Sequence, residues 1–495
     1  MYGPPPDPRQ VLAPVGILDV PEAYLGCLAV GGLLSAAAAW RRPPPALRYF
    51  LLILGQVIIL TMPALWFIDS LVFGAFPTID KEGSLLFYLD GVHVRMLLHP
   101  LLSTGDPAAH LIGVHTGHLW VTAFFDLFLS PIGAFNAQAL LYPALAWYCA
   151  WLLLTDLCGH RRMSFVIAFA WGMGLHVFRD LNWYTIEKAA IFWLALFAWA
   201  LHRAWQRTPV EPDPASADAP GADRPSLRRG RLPETGPWPW ICGAVYLLMT
   251  WNNLYLGLVG AVFGATALAG VMLAAVGAWR QRSHRPRAWA LAAARARNIG
   301  LSCAACALFV APLVVWQVML LSSGPSLGDP DRFLYERAAL DSFTLVPFRW
   351  NRLEPWRALN LVVVGLALFG GWFRRRDPRV RYAVVTGTLL ALLSLGPFLL
   401  PGVDNPIYMA ARAVVPGFWR VAKPEVFFHG TWLLMCGVAA IQLARVVPRP
   451  RTLGALYLLF VVAWVVMVRT HPAYPDLTRP VHSELDPDWS NRVFR

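Results

Sequence analysis

The chain has 495 residues, of which 57% are hydrophobic and only 14% are charged. Soluble domains usually carry about 25% charged residues, so this composition excludes an ordinary soluble enzyme or binding module. The formal net charge of +13 comes mostly from Arg residues in loops between apolar segments. That placement indicates membrane topology rather than a nucleic-acid partner.

Repeated apolar segments of about 20 residues predict a polytopic helical membrane protein, because a helix satisfies its own backbone hydrogen bonds in lipid. The 23 Trp residues lie mostly near the ends of these segments, as interfacial residues do. The predicted fold class is therefore all-α, with about 12 transmembrane helices. We place the spans near residues 22–40, 48–76, 135–157, 163–178, 188–204, 238–251, 257–279, 298–320, 358–373, 382–400, 426–444 and 452–469.

The loops on the two sides of this predicted bundle differ in charge. One side holds more of the 42 Lys and Arg residues although its loops are shorter, and the positive-inside rule assigns it to the cytoplasm. Its loops are residues 41–48, 158–162, 202–236, 280–297, 374–381 and 445–451. Residues 1–21 and 470–495 are then an outer N-terminal tail and an outer C-terminal tail.

Four further segments complete this organisation. Residues 206–237 are rich in Pro, Ala, Asp and Arg, which predicts a disordered cytoplasmic loop. Residues 280–297 fit either a basic helix lying on the anionic inner leaflet or a plain stop-transfer loop. Residues 321–357 and 401–425 are predicted outer loops, and the second contains a short surface helix followed by a turn bounded by Pro.

The first large outer loop, residues 77–134, concentrates polar side chains. Asp80 and Glu82 directly follow the second span. A partly desolvated carboxylate at the membrane surface suits a general base acting on a hydroxyl, but Asp80 equally fits the start of the next helix. Residues 84–99 have one apolar face and predict an amphipathic helix in the interface plane.

Four other polar residues of this loop are candidates for lining a site. Asp90 and His93 lie off the apolar face of the amphipathic helix and point either to a site or to solvent. His115 and His118, in the sequence HTGH, have a spacing that metal ligands sometimes use. No ligand set is complete, so a divalent metal is not the favoured interpretation and we assign no cofactor.

Cations on the predicted outer side are candidate phosphate ligands. These are Lys188, Arg412, Arg420 and Lys423. Arg binds phosphate through two parallel hydrogen bonds and Lys binds it as a point charge. Pairing with local carboxylates or lipid headgroups remains the alternative for each of them.

Two stretches resemble a known superfamily. Residues 405–445 read NPIYMAARAVVPGFWRVAKPEVFFHGTWLLMCGVAAIQLAR, with a Pro-x-Tyr start, a Pro-Gly-Phe turn, a basic-x-Pro step and a final helix pair. Residues 127–205 follow an order of loop, helix, basic turn, helix, polar turn and helix. In this the chain resembles the GT-C superfamily of membrane glycosyltransferases, and within it the bacterial YfhO-type membrane proteins.

The resemblance implies roles for the candidate residues. In such enzymes an acidic residue of the first large outer loop acts on the acceptor, a position that corresponds to Asp80 with Glu82 second. Cations of later outer loops contact the carrier phosphate, which points to Arg420 and Lys423 first. Arg412 and Lys188 would also contact the phosphate. Residues that would line the site or contact the acceptor are Asp90, His93, His115 and His118.

Two of the departures from the family pattern concern the first large outer loop. The family places its acidic loop after the first span, whereas here the loop follows the second. Residues 22–47 therefore look like an added N-terminal helix and basic turn before a GT-C-like transmembrane domain at 48–469. In addition, HLIGVHTGHLW stands where the family has a Pro-Leu-Trp-Asn-Pro stretch.

The resemblance implies a multi-pass glycosyltransferase of the bacterial inner (cytoplasmic) membrane with its site facing outward. Its donor would be a sugar linked to a polyprenyl phosphate, and its acceptor a lipid or polysaccharide of the cell envelope. The lipid bilayer would hold the donor beside the site. Two alternatives stay open: a transporter or flippase for a lipid-linked or small polar substrate, and a non-catalytic GT-C-like protein.

Overall fold

The computed structural model describes much of the membrane region. The described residues are 21–40, 43–61, 131–174, 190–206, 236–283, 285–323, 357–400, 403–415, 424–446 and 449–470, with Val121, Phe124, Phe125, Phe128 and Phe418. Helices account for 88% of them. The predicted amphipathic helix at 84–99 lies outside the described residues, as does most of the predicted loops 77–134, 206–237 and 321–357.

The described elements are almost all helices. The α-helices are α1 (Pro21–Trp40), α2 (Pro45–Thr61), α3 (Pro131–Cys158), α4 (Arg161–Gly172), α5 (Phe192–Gln206), α6 (Trp238–Asn252), α7 (Leu254–Arg280), α8 (Pro286–Ser323), α9 (Arg357–Phe373), α10 (Pro378–Ser394), α11 (Pro406–Val414), α12 (Phe427–Val446) and α13 (Pro450–Thr470). Two short strands, β1 (Phe398–Leu400) and β2 (Val403–Asp404), form an antiparallel hairpin, and a 3-10 turn covers Pro424–Val426.

A described helix overlaps each of the predicted spans, and residues 62–76 of the second span lie outside the described residues. Among the described residues, four helices are long and apolar enough to cross a membrane. They are Leu140–Cys158, Leu254–Arg280, Pro286–Val315 and Phe427–Val446. The chain is thus a predominantly helical protein whose longest apolar helices are suited to crossing a membrane.

Several predicted boundaries are wrong. One is the end of the span predicted at 163–178, where the helix stops at Gly172. Two others have a clear cause in the sequence. The span predicted at 382–400 ends as a helix at Ser394, because Gly396 has a positive φ of 73° and the following Pro397 cannot continue a helix. The chain then forms β1, which pairs with β2.

The second correction concerns the basic segment at 280–297. Only residues 281–283 form a turn, and α8 begins at Pro286 rather than near 298. The segment is therefore neither a separate surface helix nor a plain loop. Its Ala and Arg residues are strong helix formers, and Pro286 occupies the first helical position, which suits Pro.

Helix α12 lies at the centre of the bundle. Its most apolar window is 78% buried, against 33% for those of α7 and α8, and it packs against α3, α4, α7, α9 and α10. The peripheral helices instead expose large apolar side chains, such as Leu273 of α7 at 74% and Leu368 of α9 at 68%. An apolar outer surface of this kind suits a lipid environment.

Candidate functional site

Most of the predicted site residues lie outside the described residues, and their roles stay predictions. These are Asp80, Glu82, Asp90, His93, His115, His118, Lys188, Arg420 and Lys423. Arg412 alone of the predicted set is described, in the last turn of α11. Within the described ranges, no group of three or more His, Cys, Asp and Glu side chains is arranged to hold a metal ion.

The start of α11 is fixed by Asn405. Its side-chain oxygen accepts a hydrogen bond from the backbone N–H of Tyr408 at 3.3 Å, which caps the helix. Its amide nitrogen donates to the carbonyl oxygens of Leu392 at 2.6 Å and Gly396 at 2.8 Å. Because Asn405 is fully buried, these bonds tie α11 to the end of α10.

The two faces of α11 differ in chemistry. Tyr408 is buried and its ring lies 5.1 Å from that of Phe418, which in turn stacks on Phe427 at 5.7 Å. Burial raises the pKa of Tyr408 to about 12, and the nearby positive charge of Arg412 opposes that rise. Arg412 itself is exposed, and no described carboxylate forms an ion pair with it. The helix therefore presents an available guanidinium group at the surface.

We call this end of the molecule the hairpin end, since it holds β1, β2 and α11. The turn between α6 and α7 also lies here, because Tyr255, the second residue of α7, is close enough to Tyr408 of α11 to interact with it electrostatically. In that turn the side chain of Asn253 caps α7 by accepting from the backbone N–H of Tyr255 at 2.9 Å. Buried amide side chains thus hold the helix ends at this end of the bundle.

The loop that carries Asp80 and Glu82 also leaves from the hairpin end. Tyr49, near the start of α2, stacks on Trp151, near the end of α3, with ring centroids 4.4 Å apart. One residue further along α2, the ring of Phe50 lies 5.4 Å from that of Tyr148, an earlier residue of α3. Helices α2 and α3 are therefore antiparallel neighbours, so the end of α2 and the start of α3 lie towards the opposite end from these ring contacts. The chain between them is attached at the end of the bundle where Arg412 lies.

The opposite end holds a cluster that the sequence did not single out. Asp156 of α3 accepts hydrogen bonds from Nε and, at 2.7 Å, from Nη2 of Arg203 of α5. The indole N–H of Trp199 donates to the same carboxylate at 2.6 Å. The guanidinium carbon of Arg203 lies 5.5 Å from the ring centroid of Trp199 and 5.9 Å from that of Trp238. The one sequence signal for this cluster was Asp156 itself, an acidic residue near the end of an apolar segment.

A second ion pair lies at this end, which we call the ion-pair end. Asp377 caps α10 by accepting from the backbone N–H of Arg379 at 2.9 Å, and its other oxygen accepts from Nη2 of the same residue at 2.8 Å. The side-chain hydrogen bond from Arg379 is the main cause that lowers the pKa of Asp377. Nη1 of Arg379 donates to the carbonyl oxygen of Leu157 at 2.7 Å. The predicted basic loops at 158–162 and 374–381 therefore meet.

Comparisons with known proteins identify no relative. No family model matches the chain, and neither a curated protein nor a solved structure gives a significant match. What the residues themselves establish is a helical membrane-protein bundle with an exposed arginine at one end and two ion pairs at the other.

Proposed function

We propose that the protein is a glycosyltransferase of the bacterial inner membrane. It transfers a sugar from a polyprenyl-phosphate-linked donor to a lipid or polysaccharide acceptor on the outer face. The GT-C-like residue pattern at 127–205 and 405–445 motivates the proposal, and the predominantly helical membrane fold is compatible with it.

One observation supports the proposal most directly. The attachment points of the loop with Asp80 and Glu82 lie at the hairpin end, as does the exposed Arg412. A transferase of this kind needs a base and a phosphate-binding cation on the same side of the membrane, beside the lipid that carries the donor. The short helix α11 supplies such a cation at that end.

In the proposed reaction, an acceptor hydroxyl oxygen attacks the anomeric carbon of the sugar. The bond from that carbon to the phosphate oxygen breaks, and the lipid phosphate leaves with the bonding electrons. Asp80 accepts the hydroxyl proton, with Glu82 as the second candidate. Arg420, Lys423, Arg412 and Lys188 stabilise the negative charge on the departing phosphate.

Replacing Asp80 with Asn tests this assignment. The substitution removes the base but keeps the size of the side chain, so we expect transfer to fall by at least about a hundredfold. Asp404→Asn is the matched control, because Asp404 is exposed on β2 at the same end and has no proposed role. The yield of folded protein in detergent is compared for both variants. Full activity in Asp80→Asn removes Asp80 from the mechanism.

A further inference from the structure

The first turns of α8 present an arginine that no described carboxylate neutralises. The guanidinium carbon of Arg295 lies 4.4 Å from the ring centroid of Trp205 on α5, a cation–π contact. Within α5, the ring of Trp205 in turn stacks on the ring of His202, with centroids 5.8 Å apart. Nε of Arg295 is buried and has no hydrogen-bond partner among the described residues. The aromatic contact thus orients a charged group whose Nε has no hydrogen-bond partner among the described residues.

The carboxylate of Asp156, at the same end of the bundle, is already occupied. Asp156 accepts three hydrogen bonds, two from Arg203 and one from Trp199, so it has little capacity left for a second arginine. The helical hairpin of α7 and α8 contributes no acid either, because residues 254–323 contain no Asp or Glu. Their arginines are Arg280, Arg282, Arg285, Arg287, Arg295 and Arg297. This part of the ion-pair end therefore favours an anion from outside the described chain.

The position of Arg295 along α8 matches the edge of a membrane. The apolar part of α8 that follows it, residues 298–320, is about 34 Å long at 1.5 Å per residue, close to the thickness of a hydrocarbon core. Leu291 and Leu301 of α8 flank the arginine in sequence and are 38% and 43% exposed. Trp240 and Trp279, at the same end, are 58% and 49% exposed, as residues of a membrane interface are.

We propose that Arg295, held on Trp205, binds the phosphate of an anionic phospholipid in the leaflet at the ion-pair end. The guanidinium would donate to the phosphate oxygens, and the exposed leucines of α8 would lie against the acyl chains. The site is separate from the proposed donor site at the hairpin end. Its test is therefore independent of the glycosyltransferase proposal.

Native mass spectrometry of the full chain in detergent, titrated with phosphatidylglycerol or phosphatidylcholine, tests the site. The wild type should retain phosphatidylglycerol in preference to phosphatidylcholine. Arg295→Gln should weaken phosphatidylglycerol retention about tenfold, the effect of losing one charge-assisted hydrogen bond. Arg285→Gln is the control, since it removes the same charge from an exposed position in the turn before α8.

Three results would overturn the proposal. Equal losses of phosphatidylglycerol retention in Arg295→Gln and Arg285→Gln would show diffuse attraction to the arginines of α7 and α8. No loss of retention in either variant would show that the site does not bind the lipid. Competition by inorganic phosphate alone would show a free-anion site instead. If Arg295→Gln does not fold, Arg295→Lys replaces it and should give a smaller loss, because Lys keeps the charge without the paired donors.

Discussion

Asp156 and Arg203 are 47 residues apart in the chain, yet they form one ion pair that joins α3 to α5. Their side chains are 16% and 35% exposed, so the pair is only partly screened by solvent. The indole N–H of Trp199 completes the set of donors to the carboxylate. Because the two donor side chains depend on this one acceptor, the loss of Asp156 affects more than a single contact.

Asp156→Ala should lower the free energy of unfolding by about 2 kcal/mol, since it leaves a guanidinium and an indole N–H without their acceptor in a partly buried place. In a double-mutant cycle with Arg203→Ala, the double variant should be more stable than the sum of the single effects predicts, by about 1 kcal/mol. Unfolding by SDS in mixed micelles measures both values. Additive effects would contradict the ion pair.

Asp377 gives a prediction about pH at the same scale. Its pKa is lowered in the folded protein, so its stabilising effect is present above its unfolded pKa and is lost as pH falls through the lowered value. Asp377→Asn keeps the helix cap and removes the charge. We expect the variant to be less stable than the wild type by about 1 kcal/mol near pH 6, and we expect this difference to shrink as pH falls below the usual pKa of Asp.

Thermal unfolding in detergent across that pH range provides the measurement. The wild type and Asp377→Asn should converge at low pH, because protonated Asp and Asn both lack the charge that Arg379 contacts. A constant difference at every pH would contradict the assigned cause of the lowered pKa.

At the scale of the elements, close helix contact depends on glycine. A Cβ atom at Gly172, the last residue of α4, would lie 2.4 Å from the backbone nitrogen of Trp147 in α3. At Gly270 of α7 a Cβ atom would meet nothing within 4 Å. Both glycines are helical, so they form a matched pair that separates interhelical contact from helix propensity.

Gly172→Ala should therefore destabilise the protein by about 1–3 kcal/mol, because α3 and α4 must move apart. Gly270→Ala should instead stabilise it by about 0.5–1 kcal/mol, since alanine is the better helix former. The same micelle unfolding measurement compares them. Equal effects of the two substitutions would argue against the close approach of α3 and α4.

The positions of the helices were predictable because a long apolar segment is itself the sequence signal for a membrane helix. The residues at which the helices begin and end were less predictable. The positive charge of residues 280–297 suggested a break between two helices. The Ala and Arg residues there favour helix instead, and α8 begins at Pro286 rather than near residue 298. At the end of α10, Gly396 and Pro397 are a recognisable signal for the end of a helix. The prediction placed this end at residue 400 because it followed hydropathy alone.

The contacts between helices were not predictable in the same way. The pairing of Asp156 with Arg203 and the stacking of Arg295 on Trp205 join residues distant in the chain, and no local pattern specifies them. The candidate site followed from residue pattern and resemblance, and Arg412 is its one member in the described part of the chain. Its other members stay predictions.

At the scale of the whole molecule, the bundle separates two chemistries. The ion-pair end carries Asp156, Asp377 and their arginines, and the hairpin end carries Arg412 and the attachment points of the loop with Asp80. In the proposed orientation, the hairpin end faces outward, where the donor lipid and the acceptor meet. A transporter would instead have to move its substrate between the two ends.

The fate of a labelled donor decides between these functions. The purified protein is reconstituted in vesicles with polyprenyl-phosphate sugars of several hexoses and a cell-envelope extract as acceptor. The glycosyltransferase proposal predicts that free polyprenyl phosphate and a glycosylated acceptor appear together, and that Asp80→Asn slows both by at least about a hundredfold. Movement of the intact donor across the vesicle membrane with no release of polyprenyl phosphate would contradict it.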